Sequence, residues 1–253
     1  MFLRILLITS LFFILFTSCN DDNNGPVLDF TDVEMVFTGT FDGAPFVRNR
    51  PYSYQGSRIR VSKFHFYASS ISTTVGAEET FALDEIEFID FALFQNDAAA
   101  EAGFVLNVGR APVDTYEGFS WGIGVDTELN STTPDEYGMN HPLADPNLYD
   151  EDFGGYKFFE LGGEVDLDSD GTYDQEFDFM FGFDINYIEL ASIQSLELLP
   201  DVTNRIEIEM DLNKILQNIT AIDFNTQLAT SANPSDPIML ILKSNIPSSI
   251  TVK

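Results

Sequence analysis

From Val33 onward the chain alternates apolar and polar residues in short blocks, and a block with that period can bury one face only as a β-strand. Glu34–Phe41, Arg58–Tyr67 and Glu85–Phe94 carry the pattern first. Phe119–Val125, Tyr156–Val165, Gln175–Phe183, Arg205–Met210 and Ile238–Lys243 continue it. Gly, Pro and Asp separate the blocks, which predicts an all-β fold: a β-sandwich, immunoglobulin-like or related, with long loops. One short helix is expected, Leu212–Asn218, with Asp211 as its N-cap and Leu212, Ile215 and Leu216 on one face. Residues 130–152 have no period and hold Pro134, Pro142 and Pro146, so they read as a long functional or mobile loop. The 24 Phe and 9 Tyr supply a core and exclude a disordered acidic tail.

The N-terminus is of another kind. Met1–Arg4 is a short basic segment and Ile5–Phe16 an apolar run too short to span a bilayer. Thr17 and Ser18 then precede Cys19, the single cysteine of the chain. This is the pattern of a bacterial lipoprotein signal peptide over residues 1–18, cleaved before a Cys19 that carries the lipid. Residues 19–32 read as the lipidated cysteine and a polar tether, and 33–253 as one domain. One cysteine also excludes an internal disulfide. A formal charge of −29 opposes binding to nucleic acid and to anionic lipid, and favours solubility and cations. The expected location is the cell envelope, lipid-anchored at the outer membrane.

Several segments in order resemble one family. Thr115–Val125 followed by Asn130, then His141-Pro142-Leu143, then Gly155–Phe158 with Gly162, then Phe179–Gly182 with Tyr187, and upstream Phe64–Ser70, are similar to the MbnP-like domain. That family is named for a periplasmic copper-binding protein and is widespread in Bacteroidetes lipoproteins; the acidic pair Asp21-Asp22 resembles their outer-surface signal. The resemblance implies an exported β-rich domain, copper bound through histidines and an oxidised tryptophan, and a di-haem MauG-type peroxidase as partner. His141 matches the family's His-Pro-Leu. Where the family often has a Met-Tyr-Trp-x-Trp run, this chain has Leu148–Phe153 without tryptophan, and Met180 stands at a position that is often histidine. Trp121, the only tryptophan, is expected in the core.

Two metal sites follow from residue chemistry. Imidazole and thioether suit copper. His141, with Met139 or Met180, is the first candidate; His65, facing away from Phe64 and Phe66, is the second. The other is Asp166-x-Asp168-x-Asp170-Gly171-Thr172-x-Asp174, whose oxygens at alternate positions suit Ca²⁺. Phe177 occupies the usual position of the final glutamate, so Glu176 or Asp178 is the substitute expected to close the site. The sequence holds no H-E-x-x-H and no phosphate-binding glycine loop, and no enzyme activity is expected. The leading expectation is an envelope metal-binding lipoprotein. The alternative is a non-enzymatic surface module for glycan or an envelope protein, with Tyr52, Tyr54 and Tyr137 lining an aromatic groove.

Overall fold

Alternation becomes architecture in the computed structural model, which describes residues 28–75, 79–192 and 194–253. The signal peptide, Cys19 and the tether as far as residue 27 lie outside the described residues. The principal strands are β1 (Phe30–Phe41), β2 (Pro51–Tyr54), β3 (Ser57–Val75), β4 (Glu79–Asp90), β5 (Phe104–Pro112) and β6 (Gly118–Ile123). They continue with β7 (Phe159–Asp166), β8 (Gln175–Phe181), β9 (Ile188–Ser192), β10 (Asn204–Asp211) and β11 (Ile250–Val252). Strand β1 begins at Phe30, ahead of the expected Val33, and Thr31 is already buried.

The strands form a β-sandwich. One sheet runs β11-β10-β1 and ends on the short strand Ala44–Pro45, with β5 also paired to β1. Strands β1 and β10 are parallel, from Val33 opposite Asn204 to Thr40 opposite Asp211. The larger sheet runs β8-β7-β3-β6-β9, with β2 and β4 also on β3. Phe37 of the first sheet meets Phe66 and Trp121 of the second edge-on, with ring centroids 5.8 and 5.3 Å apart. Such pairs add to area burial, and Trp121 is a core residue as expected.

Strand β3 explains the incomplete alternation of its sequence. It pairs with β7 through Val61 opposite Gly163 and Lys63 opposite Gly162, leaving Ser62 as an extra residue. This bulge resets the parity. Ile59 and Val61 face inward before it, Phe64 and Phe66 after it, so Arg60, Lys63 and His65 all face outward. Gly163 makes the bulge possible: a Cβ there would lie 1.9 Å from the Arg60 carbonyl oxygen.

Helix α1 (Leu212–Gln217) forms where expected, its first turn capped by Asp211, which accepts from the amides of Asn213 and Lys214. The expected strand Ile238–Lys243 is instead part of helix α2 (Pro237–Ser249). Asp236 caps it and Pro237 occupies the first turn, a strong start signal. Ile238, Met239, Leu242 and Ile246 recur at helical spacing on its buried face. A continuous apolar run looks alike as strand and as helix, and the cap decides. The two helices pack on each other, and Asn245 donates to the carbonyls of Ile215 and Thr220. Two further short helices span Asp97–Ala102 and Thr127–Asn130. Residues 131–148 hold only single turns of 3-10 helix, so the irregular loop is where the sequence placed it.

Candidate metal centre

The outer face of the larger sheet is polar where β3, β7 and β8 lie side by side. His65 pairs with Glu160, and Glu160 with Met180, so an imidazole, a carboxylate and a thioether form one row across three strands. Residues directly opposite in an antiparallel pair share a face, and the inward neighbours Phe66, Phe159 and Phe181 form the matching row in the core. One step along, Lys63 reaches Glu160 at 2.7 Å and Asp178 at 3.1 Å. His65 Nε2 lies 3.1 Å from Glu160 Oε2 without the alignment of a hydrogen bond, so a buried imidazole nitrogen is left without a hydrogen-bond partner. The His65 ring rests against Phe88, centroids 5.2 Å apart.

The charges in this row shape one another. Burial opposes ionisation of Glu160, but His65 and Lys63 beside it outweigh burial and hold its carboxyl at about 2. Burial and the Glu160 charge push the Asp178 carboxyl up, against the pull of Lys63. Burial disfavours the Lys63 ammonium, yet the two carboxylates raise its pKa overall. A buried anion of this kind is retained because cationic partners surround it.

Beside the row, the long loop closes over the same face. Tyr67, next outward after His65, donates from its hydroxyl to the Pro142 carbonyl at 3.2 Å. His141 stacks on Tyr137, centroids 4.1 Å apart, and its Nδ1 accepts from the Leu143 amide. That bond occupies one ring nitrogen in capping a turn. Met139 is 98% exposed and joins no group. His141 is engaged with Tyr137 and the Leu143 amide while Met139 is turned to solvent, so the fold does not bring those two side chains together. The strand register places Met180 in the row of His65 instead. Glu160 and Lys63 were missed from sequence; the signal was an acid interrupting the apolar run Phe158-Phe159-Glu160-Leu161.

The acidic turn joins β7 to β8. Carboxylate oxygens of Asp166, Asp168 and Asp170 all lie within 4.8 Å of one another. Asp166 is buried and its two oxygens accept from the amides of Asp170 and Gly171. Asp170 accepts from the Thr172 amide at 2.7 Å. Asp174 and Glu176 stand outside this group. Glu176 instead lines a cleft with Arg60, Lys63 and Glu164, because β8 is a strand and alternation turns it onto the outer face while Phe177 enters the core. The aromatic groove is not formed either. Tyr52 and Tyr54 are buried, Tyr54 donating to the carbonyls of Leu216 and Ile222, and Tyr137 is engaged with His141.

The sequence model of the family described as MbnP matches residues 30–237. The chain belongs to the MbnP family. A solved structure, MbnP from Methylosinus trichosporium, aligns over 89% of this chain and 99% of that chain, with a TM-score of 0.55 and 12% identity. At that identity the likeness establishes a shared fold and transfers no residue role. No curated protein matches the sequence. Packing requires a glycine at position 122: a Cβ there would lie 1.9 Å from the Tyr187 hydroxyl, which pairs with Ser69 Oγ at 3.0 Å. Among the described residues no helix is long and apolar enough to cross a membrane.

Proposed function

We propose that this MbnP-family protein is a lipid-anchored envelope protein that binds copper on the outer face of its larger sheet. The observation that carries the reading is the buried, unpartnered Nε2 of His65 in one row with Glu160 and Met180. The donor set fits the ion: imidazole and thioether are ligands that copper accepts in either oxidation state, and a carboxylate adds charge. His65 and Met180 would hold the metal. Glu160 Oε2, 3.1 Å from that same nitrogen, would supply a carboxylate oxygen beside it. Lys63 competes for Glu160, so binding would displace its ammonium.

The test is a chelator-competition titration with copper. His65→Ala is expected to weaken binding by at least the roughly 10–100-fold that even a supporting group costs. Met180→Leu, which keeps volume but removes sulfur, is expected to weaken it as well, whereas exposed Met139→Ala leaves it unchanged. Equal affinity in all four proteins would overturn the reading. The family resemblance supports a di-haem MauG-type partner in the envelope and a role in metal handling.

A second ion is favoured by the convergence of Asp166, Asp168 and Asp170. We propose a structural Ca²⁺ there, completed by solvent or backbone oxygens, with the weak affinity common in extracellular modules, about 10⁻⁴–10⁻³ M. Millimolar Ca²⁺ is expected to raise the melting temperature of the protein and to leave that of Asp168→Asn little changed. The same shift in both proteins would rule the site out.

A further inference from the structure

One end of the sandwich carries an apolar patch that no element covers among the described residues. Leu28, Phe30, Leu199 and Val202 are between 41% and 59% exposed. They are held as one surface: Thr31 Oγ1 donates to the Val202 carbonyl at 2.8 Å. Asn204 bridges the same turn, donating to Thr31 Oγ1 and to the Leu199 carbonyl and accepting from the Leu199 amide. Phe30 leans on Phe81 of β4, centroids 6.2 Å apart. The turn Leu199–Val202 is therefore rigidly fastened with its apolar side chains outward.

We infer that this end of the protein rests on the lipid surface, with Leu199 and Val202 entering the headgroup region of a zwitterionic leaflet. The inference rests on the reading of Cys19 as the lipidated residue. Only residues 20–27 separate Cys19 from Leu28. A segment of that length spans at most about 30 Å. The patch is thus confined close to the membrane, and contacts too weak to hold a free protein act there at high effective concentration. Asp29, Asp32 and Asp201 outnumber Arg110, which donates to the Phe30 carbonyl and pairs with Asp32, so the rim of the patch disfavours anionic headgroups. The opposite end of β3 points outward: Ser57 bonds the Leu167 carbonyl beside the acidic turn, up to about 60 Å along the strand from Val75 at about 3.3 Å per residue. The acidic turn and α1 would then stand farthest from the membrane, and the polar row midway.

The full lipidated protein is reconstituted in phosphatidylcholine vesicles with an environment-sensitive fluorophore on Val202→Cys or, at the far end, on Thr172→Cys. Acylated Cys19 does not react, so each protein carries a single label. Both substituted positions are exposed, so the fold is retained. Flotation with the vesicles, with the label at 202 quenched by lipid-borne quenchers and the label at 172 unquenched, is the expected result. Flotation with neither label quenched would overturn the patch while leaving the anchor intact. A shielded but unquenched label at 202, with dimers in sedimentation, would assign the patch to a second copy and overturn the proposal. Unlabelled protein that fails to float would remove the lipid anchor, and the proposal with it.

Discussion

Glu160 is the residue on which the polar row turns. Its carboxyl is held at about 2 against an ordinary 4.5, so the ionised form stabilises the fold above pH 4.5, and that contribution is lost as the pH falls from 4.5 through about 2. The stability gap between the protein and Glu160→Gln is therefore expected to be full at pH 6 and to shrink across that acidic window, read from melting temperatures at a series of pH values. A gap independent of pH would contradict the charge pattern. Gly122 gives a second prediction: Gly122→Ala forces Tyr187 to move and should cost about 1–3 kcal/mol in chemical denaturation, the usual range for overpacking. No loss would mean that Tyr187 is free to leave. At this scale the sequence was half legible. Alternation placed His65 outward, because parity is local, and the family resemblance placed Trp121 in the core. The partners of His65 depend on which residue of β7 and β8 lies opposite, and register across a sheet leaves no local trace in the chain.

Elements were legible where one period was long and its ends were marked. Helix α1 was readable because Asp211 precedes an amphipathic turn, and Asp211→Ala is expected to cost about 1 kcal/mol in urea unfolding. Helix α2 was misread because five consecutive apolar residues, Ile238–Leu242, satisfy both periods. Ser235-Asp236-Pro237 held the answer. Asp236 accepts from the amides of Ile238 and Met239 and from Ser231, and these bonds hold its carboxyl below the usual range against the effect of burial. Asp236→Ala should therefore cost more than Asp211→Ala, toward the upper end of the roughly 0.5–2 kcal/mol spanned by cap losses. Equal costs would show that the Ser231 bonds add nothing. The acidic turn was legible as a motif, but its closing ligand was not: the expectation for Glu176 depended on what followed, and a strand turns that residue away from the three aspartates.

For the whole molecule, the fold separates three tasks along one axis. Bonded turns fasten the end where β1 begins, aromatic rings from both sheets fill the middle, and the acidic turn occupies the far end. The large sheet buries phenylalanines on one face and gathers His65, Glu160, Lys63 and Asp178 on the other, so a charged site sits on a rigid support rather than on a loop. The sandwich was visible from the number and spacing of strands. The parallel pairing of β1 with β10, which brings distant segments together, was not. The central claim is that the outer-face row is the copper site. It is tested most directly by elemental mass spectrometry of the intact protein and of His65→Ala and Asp168→Asn, each recovered from envelopes of copper-supplied cells. Stoichiometric copper in the unaltered protein and in Asp168→Asn, lost in His65→Ala, is the predicted result. Copper retained in His65→Ala, or absent from all three, would contradict it.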